Sequence, residues 1–227
     1  SSLGHADHGW LNARHHFSFA RYWNPQRTGF GKLLVINDDI VAAGKGFAPH
    51  PHDNMEIITY VRAGAITHKD SMGHTGRTGA GDVQVMSAGT GVTHSEFNLE
   101  NEDTRLYQIW IEPHEKNVAP RWEARAFPKS PVTDTLPLLV SGQKEHESRD
   151  ALMIHADAAI YGGTLAAGAR ITQTIKHQAY ILVSQGAFSV NDTPMKQGDG
   201  AEVTGTKEIT IEAETACEIL IIDVPQT

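Results

Sequence analysis

Short runs of β-branched and aromatic residues, separated by turn residues, make up the first half of the chain. The runs cover residues 33–36, 56–61, 82–86 and 105–111. Each is bounded by glycine, proline or a polar turn segment such as Asn37-Asp38-Asp39. Runs of this length and spacing predict short antiparallel strands, whereas helical periodicity is poor throughout. We therefore expect the first half to form an all-β sandwich or barrel.

The second half of the chain repeats this order of elements. Strands are predicted over residues 179–183, 187–190, 209–211 and 218–224. The turn at Gln185-Gly186 corresponds to Ala63-Gly64, and Gly198-Asp199 corresponds to Gly81-Asp82. A shared order of strand, glycine turn, strand, Gly-Asp turn and strand indicates an internal repeat of two β units.

Prolines are concentrated between these two units. Five of the ten prolines lie within residues 113–137, and proline interrupts both strands and helices. We therefore predict an N-terminal domain of residues 1–135, which includes the linker, and a C-terminal domain of residues 136–227. The best helical candidates are residues 120–126 and a short stretch near Ala151. The predicted fold class is all-β, with two tandem antiparallel β-barrel or jelly-roll domains and a short helical linker.

Composition narrows the class of protein and its partners. The net charge of -8 disfavours nucleic acid, because binding to phosphate needs a basic surface. No apolar run approaches the roughly 20 residues of a membrane span, and the first residues lack the pattern of a signal peptide. The single cysteine, Cys217, excludes an internal disulfide and is expected to be an inert core thiol. We therefore expect a cytoplasmic protein that contacts neither nucleic acid nor a membrane.

Histidines are unevenly distributed, since ten of the thirteen lie at or before His114. His50 and His52 occupy positions i and i+2 of a predicted strand, so their side chains project from one face. His94 and Glu96 form a second pair with the same spacing. Two such strands can converge inside a barrel, and three imidazoles with one carboxylate suit Fe, Zn, Cu, Ni or Mn. The sequence therefore predicts a metal site formed by these four residues.

Other polar residues near the two pairs allow more than one interpretation. Glu56 shares the parity of His50 and His52 and is predicted to support the site, with a direct ligand, a general base or a strand-end ion pair left open. His68 is predicted to be a surface or turn histidine rather than a ligand, and His74 is predicted to be solvated in a glycine-rich tip. His15 and His16 are expected to pack near the barrel. Met86 and Trp110 are expected in the core or in the wall of a pocket, and His114 is expected at the linker surface.

The glycines around the metal motifs carry a resemblance to a known superfamily. Gly44 precedes His50 by six residues, and the order Gly-x5-His-x-His-x3-Glu, then Gly-x2-His-x3-Asn, resembles the cupins. The segments GFAPHPHDNMEIITYV, HKDSMG, GAGDVQVMSAGTGVTHSE and LYQIWI are similar to those of the pirin family. Two departures from the common cupin pattern also point to the pirin family. The interval from Glu56 to Gly64 is one residue longer, and Gly89 replaces a proline.

The resemblance implies a bicupin whose N-terminal barrel holds a metal ion and whose C-terminal barrel does not. The implied ligands are His50, His52, His94 and Glu96. The implied activity is that of a quercetin 2,3-dioxygenase, in which O₂ opens the ring of a flavonol or related enol and carbon monoxide is released. Glu96 is the expected catalytic residue, as a carboxylate that can leave the metal and accept the substrate proton. The expected metal is Fe(II), with Zn, Cu, Ni, Mn or Co as alternatives.

Two other functions remain open at the level of sequence. One is a non-catalytic regulator that binds a protein partner and responds to the oxidation state of its metal. The other is a non-redox metal enzyme such as an isomerase or hydrolase, which would work with zinc and without oxygen. Because two fused barrels can bury a shared interface, we expect a monomer.

Overall fold

The computed structural model describes residues 3–227, and most of them lie in β-strands and turns. The chain folds as two compact units. The N-terminal unit runs up to Phe127 and includes Leu152–Ala156, and the C-terminal unit comprises Pro128–Ala151 and Asp157–Thr227. Within the described range, the one helical element is a 3₁₀ turn at Lys144–His146. No helix of residues 3–227 has the length and apolar character needed to cross a membrane.

The N-terminal unit contains two antiparallel sheets. Its strands are β1 (Gly4–Asp7), β2 (Leu11–His15), β3 (Leu33–Val41), β4 (Gly46–His52), β5 (Glu56–Ala63), β6 (Ala65–Asp70), β7 (Thr75–Gly79), β8 (Val83–Ser87), β9 (Val92–Phe97), β10 (Thr104–Ile111), β11 (Arg121–Arg125) and, from the later segment, β13 (Leu152–Met153). One sheet has the order β1-β2-β3-β10-β5-β8-β11, and the other has the order β4-β9-β6-β7. Strands β5 and β8 are buried on both faces over most of their length. Their buried residues include polar ones, Thr59 on β5 and Gln84 on β8, besides the apolar ones.

The C-terminal unit is also built from two antiparallel sheets. Its strands are β12 (Leu138–Ser141), β14 (Ala159–Leu165), β15 (Arg170–Thr174), β16 (Gln178–Gln185), β17 (Ala187–Val190), β18 (Thr193–Lys196), β19 (Gly200–Val203), β20 (Glu208–Ala213) and β21 (Cys217–Val224). Within this unit, the strands of the first sheet have the order β12-β14-β21-β16-β19, and those of the second have the order β15-β20-β17-β18. Its core is apolar and includes Ile181, Phe188, Ile211 and Ile221. The predicted all-β architecture of two tandem units is confirmed.

The predicted strands are confirmed, but one predicted turn is wrong. Each of the eight apolar runs falls on a strand. The polar segment Asn37-Asp38-Asp39 does not end its strand, because β3 continues to Val41 and pairs with β10 along its length. Asn37 and Asp39 are both buried, at 5% and 2% exposure. The local composition predicts a turn here, but pairing with β10 holds the segment in a strand.

The predicted linker helix is also wrong. Arg121–Arg125 forms β11, which pairs antiparallel with β8. This pairing packs Trp122 against a cluster that contains Ile57 and Met86. A short helix over the predicted residues 120–126 would be marginal by itself. Pairing at the edge of a sheet, with the indole of Trp122 packed, is the more stable alternative. The stretch around Ala151 is not helical either.

The predicted internal repeat is confirmed in the backbone. Gly64 and Gly186 follow equivalent strands and have φ of +73° and +76°. Gly81 and Gly198, in the Gly-Asp turns, have φ of +76° and +88°. Glycine adopts this left-handed conformation without the steric cost that other residues meet. A Cβ atom on Gly64 would also lie 2.6 Å from the hydroxyl of Thr104, so this turn has no room for a side chain.

Candidate metal centre

Strands β4 and β9 bring three histidines together. The two strands pair antiparallel, with His50 directly opposite His94 and His52 opposite Val92. One ring nitrogen from each of His50, His52 and His94 lies within 4.8 Å of those of the other two. The ring centroids of His50 and His94 are 4.5 Å apart. The two motif strands therefore present their imidazoles to a common point.

Glu96 lies two residues beyond His94 and is held from the opposite sheet. Its carboxylate oxygens accept hydrogen bonds from the side-chain amides of Gln84 and Gln108, both at 2.7 Å. Burial raises the pKa of Glu96, and the hydrogen bond from Gln108 opposes that shift. Glu96 belongs to a second, overlapping group with His94 and His68, whose potential ligand atoms also lie within 4.8 Å of one another.

The state of His94 shows that this cluster fits a metal ion. Its Nε2 atom is buried and has no hydrogen-bond partner among the described residues, which costs about 1–3 kcal/mol if nothing else binds it. On His50, Nδ1 lies 2.7 Å from the carbonyl oxygen of Ala48, so it donates and leaves Nε2 as a free electron-pair donor. Burial lowers the pKa of His94 to about 3 and that of His52 to about 4. Both rings are therefore neutral at pH 7, which is the form that binds metal ions.

The histidine cluster lies in the wall of a cavity of about 750 Å³. Aromatic side chains supply much of the apolar wall, namely Phe19, Tyr22, Phe47 and Trp110. The indole of Trp110 stands edge-on to His52, with ring centroids 5.0 Å apart. Trp110 therefore has the pocket-wall position that the sequence left open, while Met86 is in the core. A cavity of this size, mostly apolar with a few polar groups, is typical of a site for a small organic ligand.

Asp39 is the second acidic group that lines the cavity. Its Oδ1 atom is buried without a hydrogen-bond partner in the described part of the chain. Burial, reinforced by the negative charges of Asp38 and Glu96, raises the pKa of Asp39 to about 8. Its carboxyl group is therefore mostly protonated at pH 7 and can donate a hydrogen bond into the cavity. The sequence reasoning missed this residue because it assigned the Asn-Asp-Asp segment to a turn.

The predicted surface position of His68 is wrong. The residue is fully buried on β6, and its Nδ1 lies 3.4 Å from Nδ1 of His94. Strand β6 pairs with β9, and Asp70 lies opposite His94. His68 and Asp70 form a third i, i+2 pair of polar residues beside the two metal motifs. That spacing was the signal in the sequence that could have placed them at the site.

The remaining candidates are distributed as follows. Glu56, the first residue of β5, is buried and accepts a hydrogen bond from the Ser87 hydroxyl at 2.8 Å. Burial raises the pKa of Glu56, but the residue belongs to neither metal-competent group and does not line the cavity. His74 and His114 are exposed, as predicted. His15 and His16 are buried, and His15 lines the cavity.

Comparison with known proteins identifies the family. The sequence profile described as Pirin matches residues 1–111, and the profile described as Quercetinase C-terminal cupin domain matches residues 138–224. A pirin-like protein of Caulobacter vibrioides is 48% identical over 97% of this chain and 95% of its own length. The chain belongs to the pirin family. Its two units are cupin-type domains, as the sequence resemblance implied.

Two further similar proteins bear on the site. A quercetin 2,3-dioxygenase of Escherichia coli is 40% identical over 98% of this chain and 95% of its own length. The crystal structure of the bacterial pirin YhhW from Escherichia coli in complex with nickel(II) superimposes with a TM-score of 0.91. It is 39% identical, with 99% of this chain and 96% of that chain covered. In the present chain, the cluster of His50, His52 and His94 is a group that could hold a metal ion.

Proposed function

We propose that this pirin is a metal-dependent dioxygenase with quercetin 2,3-dioxygenase activity. The proposed reaction is O₂-dependent ring cleavage of a flavonol or related enol, with release of carbon monoxide. The observation that carries the proposal is that Nε2 of His94, beside His50 and His52 in the wall of a cavity of about 750 Å³, has no hydrogen-bond partner among residues 3–227. The Escherichia coli relative named quercetin 2,3-dioxygenase supports the choice of reaction.

We propose His50, His52, His94 and Glu96 as the ligands of one divalent ion. Fe(II) is the proposed ion in the cell, and the same donors accept Zn, Cu, Ni, Mn or Co. A bound ion of this kind supplies Lewis-acid stabilisation of a deprotonated substrate oxygen and redox chemistry for dioxygen.

In this proposal, the side chains around the site bind the substrate, accept its hydroxyl proton and donate a hydrogen bond to it. We propose that Glu96 has the catalytic role of accepting the proton of the substrate hydroxyl, because its carboxylate lines the cavity beside the histidine cluster. Gln84 and Gln108 fix the position of its two oxygens. Asp39 donates a hydrogen bond to a substrate oxygen from its protonated carboxyl. Trp110 and the other aromatic rings of the cavity cover the flat faces of the substrate and exclude water.

Aerobic incubation of iron-loaded protein with quercetin tests the proposed reaction. We expect loss of quercetin absorbance with one molecule of carbon monoxide released for each quercetin consumed. His50→Ala and Glu96→Gln should abolish both signals, whereas His114→Ala, which changes an exposed histidine, should react like the wild type. Iron-loaded wild type that leaves quercetin unchanged would refute the proposal for that substrate. Turnover with zinc in the absence of oxygen would instead indicate a non-redox enzyme.

We further propose that the protein is a cytoplasmic monomer with a small-molecule substrate and O₂ as its partners, and with neither nucleic acid nor membrane among them. The metal would lie in the first of two domains, residues 1–135 and 136–227. Cys217 is buried, and burial raises the pKa of its thiol to about 11, which supports the proposal of an inert core thiol. Light scattering coupled to size exclusion should give the mass of one chain, and a mass of two chains would refute the monomer.

A further inference from the structure

The buried residue His68 makes polar contacts through both ring nitrogens. Nε2 lies 2.9 Å from Oδ2 of Asp70, and Nδ1 lies 3.4 Å from Nδ1 of His94. The side chains of His68 and Asp70 are both 0% exposed. Because water does not reach these atoms, the hydrogen-bond pattern depends on which protein groups donate and which accept.

Asp70 acts as an acceptor throughout this network. Its Oδ1 accepts the backbone N–H groups of Met72 at 2.9 Å and His74 at 3.0 Å, and a backbone amide can only donate. Its Oδ2 is 2.9 Å from Nδ1 of His74 and 2.9 Å from Nε2 of His68. Four donors around one carboxylate leave His68 with its proton on Nε2.

This protonation pattern determines the tautomer of His94. A neutral imidazole with a proton on Nε2 has an unprotonated Nδ1, which is a hydrogen-bond acceptor. His94 must then carry its proton on Nδ1 and donate it to His68. Its Nε2 remains unprotonated, and this is the buried atom that has no partner in the described part of the chain. The direction of the hydrogen bonds thus leaves a free electron pair on the histidine shared by both metal-competent groups.

We propose that His68 and Asp70 are a positioning pair that holds His94 in the Nδ1–H tautomer, with Nε2 available to the metal ion. Trp122 supports the pair, because its indole stacks on His68 with ring centroids 4.8 Å apart and planes within 6°. Gly76 makes space for this indole, since a Cβ atom at that position would lie 2.2 Å from the ring. The stack prevents the imidazole of His68 from turning away from His94.

A direct ligand role for His68 is the competing assignment. His68, His94 and Glu96 have potential ligand atoms within 4.8 Å of one another. The positioning role is favoured because both nitrogens of His68 already have partners, whereas Nε2 of His94 has none among the described residues. The two roles differ in a measurable way, since only a ligand would gain a bond to metal at Nδ1 of His68.

Histidine ¹⁵N NMR of metal-free and zinc-loaded wild type tests the positioning role directly. We expect His94 to be protonated on Nδ1 in both states, and zinc to change the resonance of its Nε2. Nδ1 of His68 should remain an unprotonated acceptor in both states. A proton on Nε2 of metal-free His94, or a zinc-bound nitrogen on His68, would overturn the proposal. This measurement needs no variant, so it holds even if a substitution prevents folding.

Asp70→Asn tests the same chain by reversing its polarity. The two backbone N–H groups at Oδ1 keep the amide oxygen on that side, so the new NH₂ group faces Nε2 of His68. His68 then donates through Nδ1, and His94 is driven to the Nε2–H tautomer, which cannot bind a metal. We expect the zinc dissociation constant to rise about 10- to 100-fold, as for other partners of ligating histidines.

Asp157→Asn is the matched control, because Oδ2 of Asp157 lies 2.9 Å from Nε2 of His177 in the C-terminal unit. It makes the same chemical change in the same kind of pair and should alter zinc affinity by less than about twofold. Equal zinc affinity in wild type and folded Asp70→Asn would overturn the positioning role. The inference rests on the proposed metal site, so wild type that binds no zinc overturns both. Normal zinc binding without quercetin cleavage by the iron form overturns only the proposed activity.

Discussion

Asp39→Asn should remove a strong pH dependence of stability from the metal-free protein. The pKa of Asp39 rises from the ordinary 3.8 to about 8, first because of burial and then because of Asp38 and Glu96. Each pKa unit corresponds to about 1.4 kcal/mol, so an ionised Asp39 costs the folded state about 6 kcal/mol. The amide side chain of the variant cannot ionise, and this cost is absent from the variant at every pH.

The sign of the effect follows from proton binding. Between about pH 4 and pH 8 the folded state keeps the proton of Asp39, whereas the unfolded chain has released it. The folded state therefore binds more protons, and this residue's contribution to the free energy of unfolding falls by about 1.4 kcal/mol per pH unit as pH rises. The contribution is fully favourable below pH 4 and is lost as pH increases towards 8.

Chemical denaturation of the two metal-free proteins from pH 5 to pH 8 measures this difference. The unfolding free energy of Asp39→Asn minus that of wild type should grow by about 4 kcal/mol over the range. Other titrating groups act similarly in both proteins, so the difference isolates Asp39. A difference that is constant with pH would show that Asp39 is ionised in the folded protein, and would remove its proposed role as a hydrogen-bond donor to substrate.

Three further perturbations test neighbouring parts of the account. Gly76→Ala should displace Trp122 and cost about 1–3 kcal/mol of unfolding free energy. Gly79→Ala on the same strand should cost little, because a Cβ atom there meets nothing closer than 3.5 Å. Equal losses in the two variants would contradict the steric argument. Glu96→Gln should keep the fold, because the amide of Gln108 can rotate to present its oxygen to the new side chain while the Thr78 hydroxyl fixes the amide of Gln84. The variant should weaken metal affinity by at least the roughly 10- to 100-fold that changes to the partners of ligands cost. Unchanged affinity in titrations would exclude Glu96 as a ligand. Burial and then Arg27 lower the pKa of His16 to about 4, so the folded state resists protonation of this ring. As pH falls from 6.5 to 4, metal-free wild type should therefore lose about 3 kcal/mol more unfolding free energy than His16→Gln. An equal loss in the two proteins would refute this.

The architecture and the two pairs of candidate ligands were predictable because they depend on local patterns. Period-two spacing places His50 with His52 and His94 with Glu96 on common faces, wherever the strands lie. Apolar runs bounded by glycine identify the strands, and the repeated glycine turns reveal the second unit. These features need no knowledge of which strands become neighbours.

Asp39 and His68 lie at the site because of how strands pair, and the sequence does not reveal which strands are neighbours. His68 is buried because β6 pairs with β9 and because Trp122, more than fifty residues away in sequence, covers its ring. Asp39 lines the cavity because β3 continues beside β10 through a segment with the composition of a turn. Both residues have the polar character of loop residues, and only tertiary pairing assigns them to the site.

Metal content of reconstituted protein is the most direct test of the central claim that three histidines and Glu96 hold one divalent ion. Wild type and variants would be loaded with Fe(II) without oxygen, passed through a desalting column and analysed for iron per chain. We predict one iron per chain in wild type and in His114→Ala. His50→Ala, His52→Ala, His94→Ala and Glu96→Gln should each retain almost none while keeping the β-sheet circular dichroism of the wild type. Full iron occupancy in any one of these four variants, if it is folded, would contradict the assigned ligands.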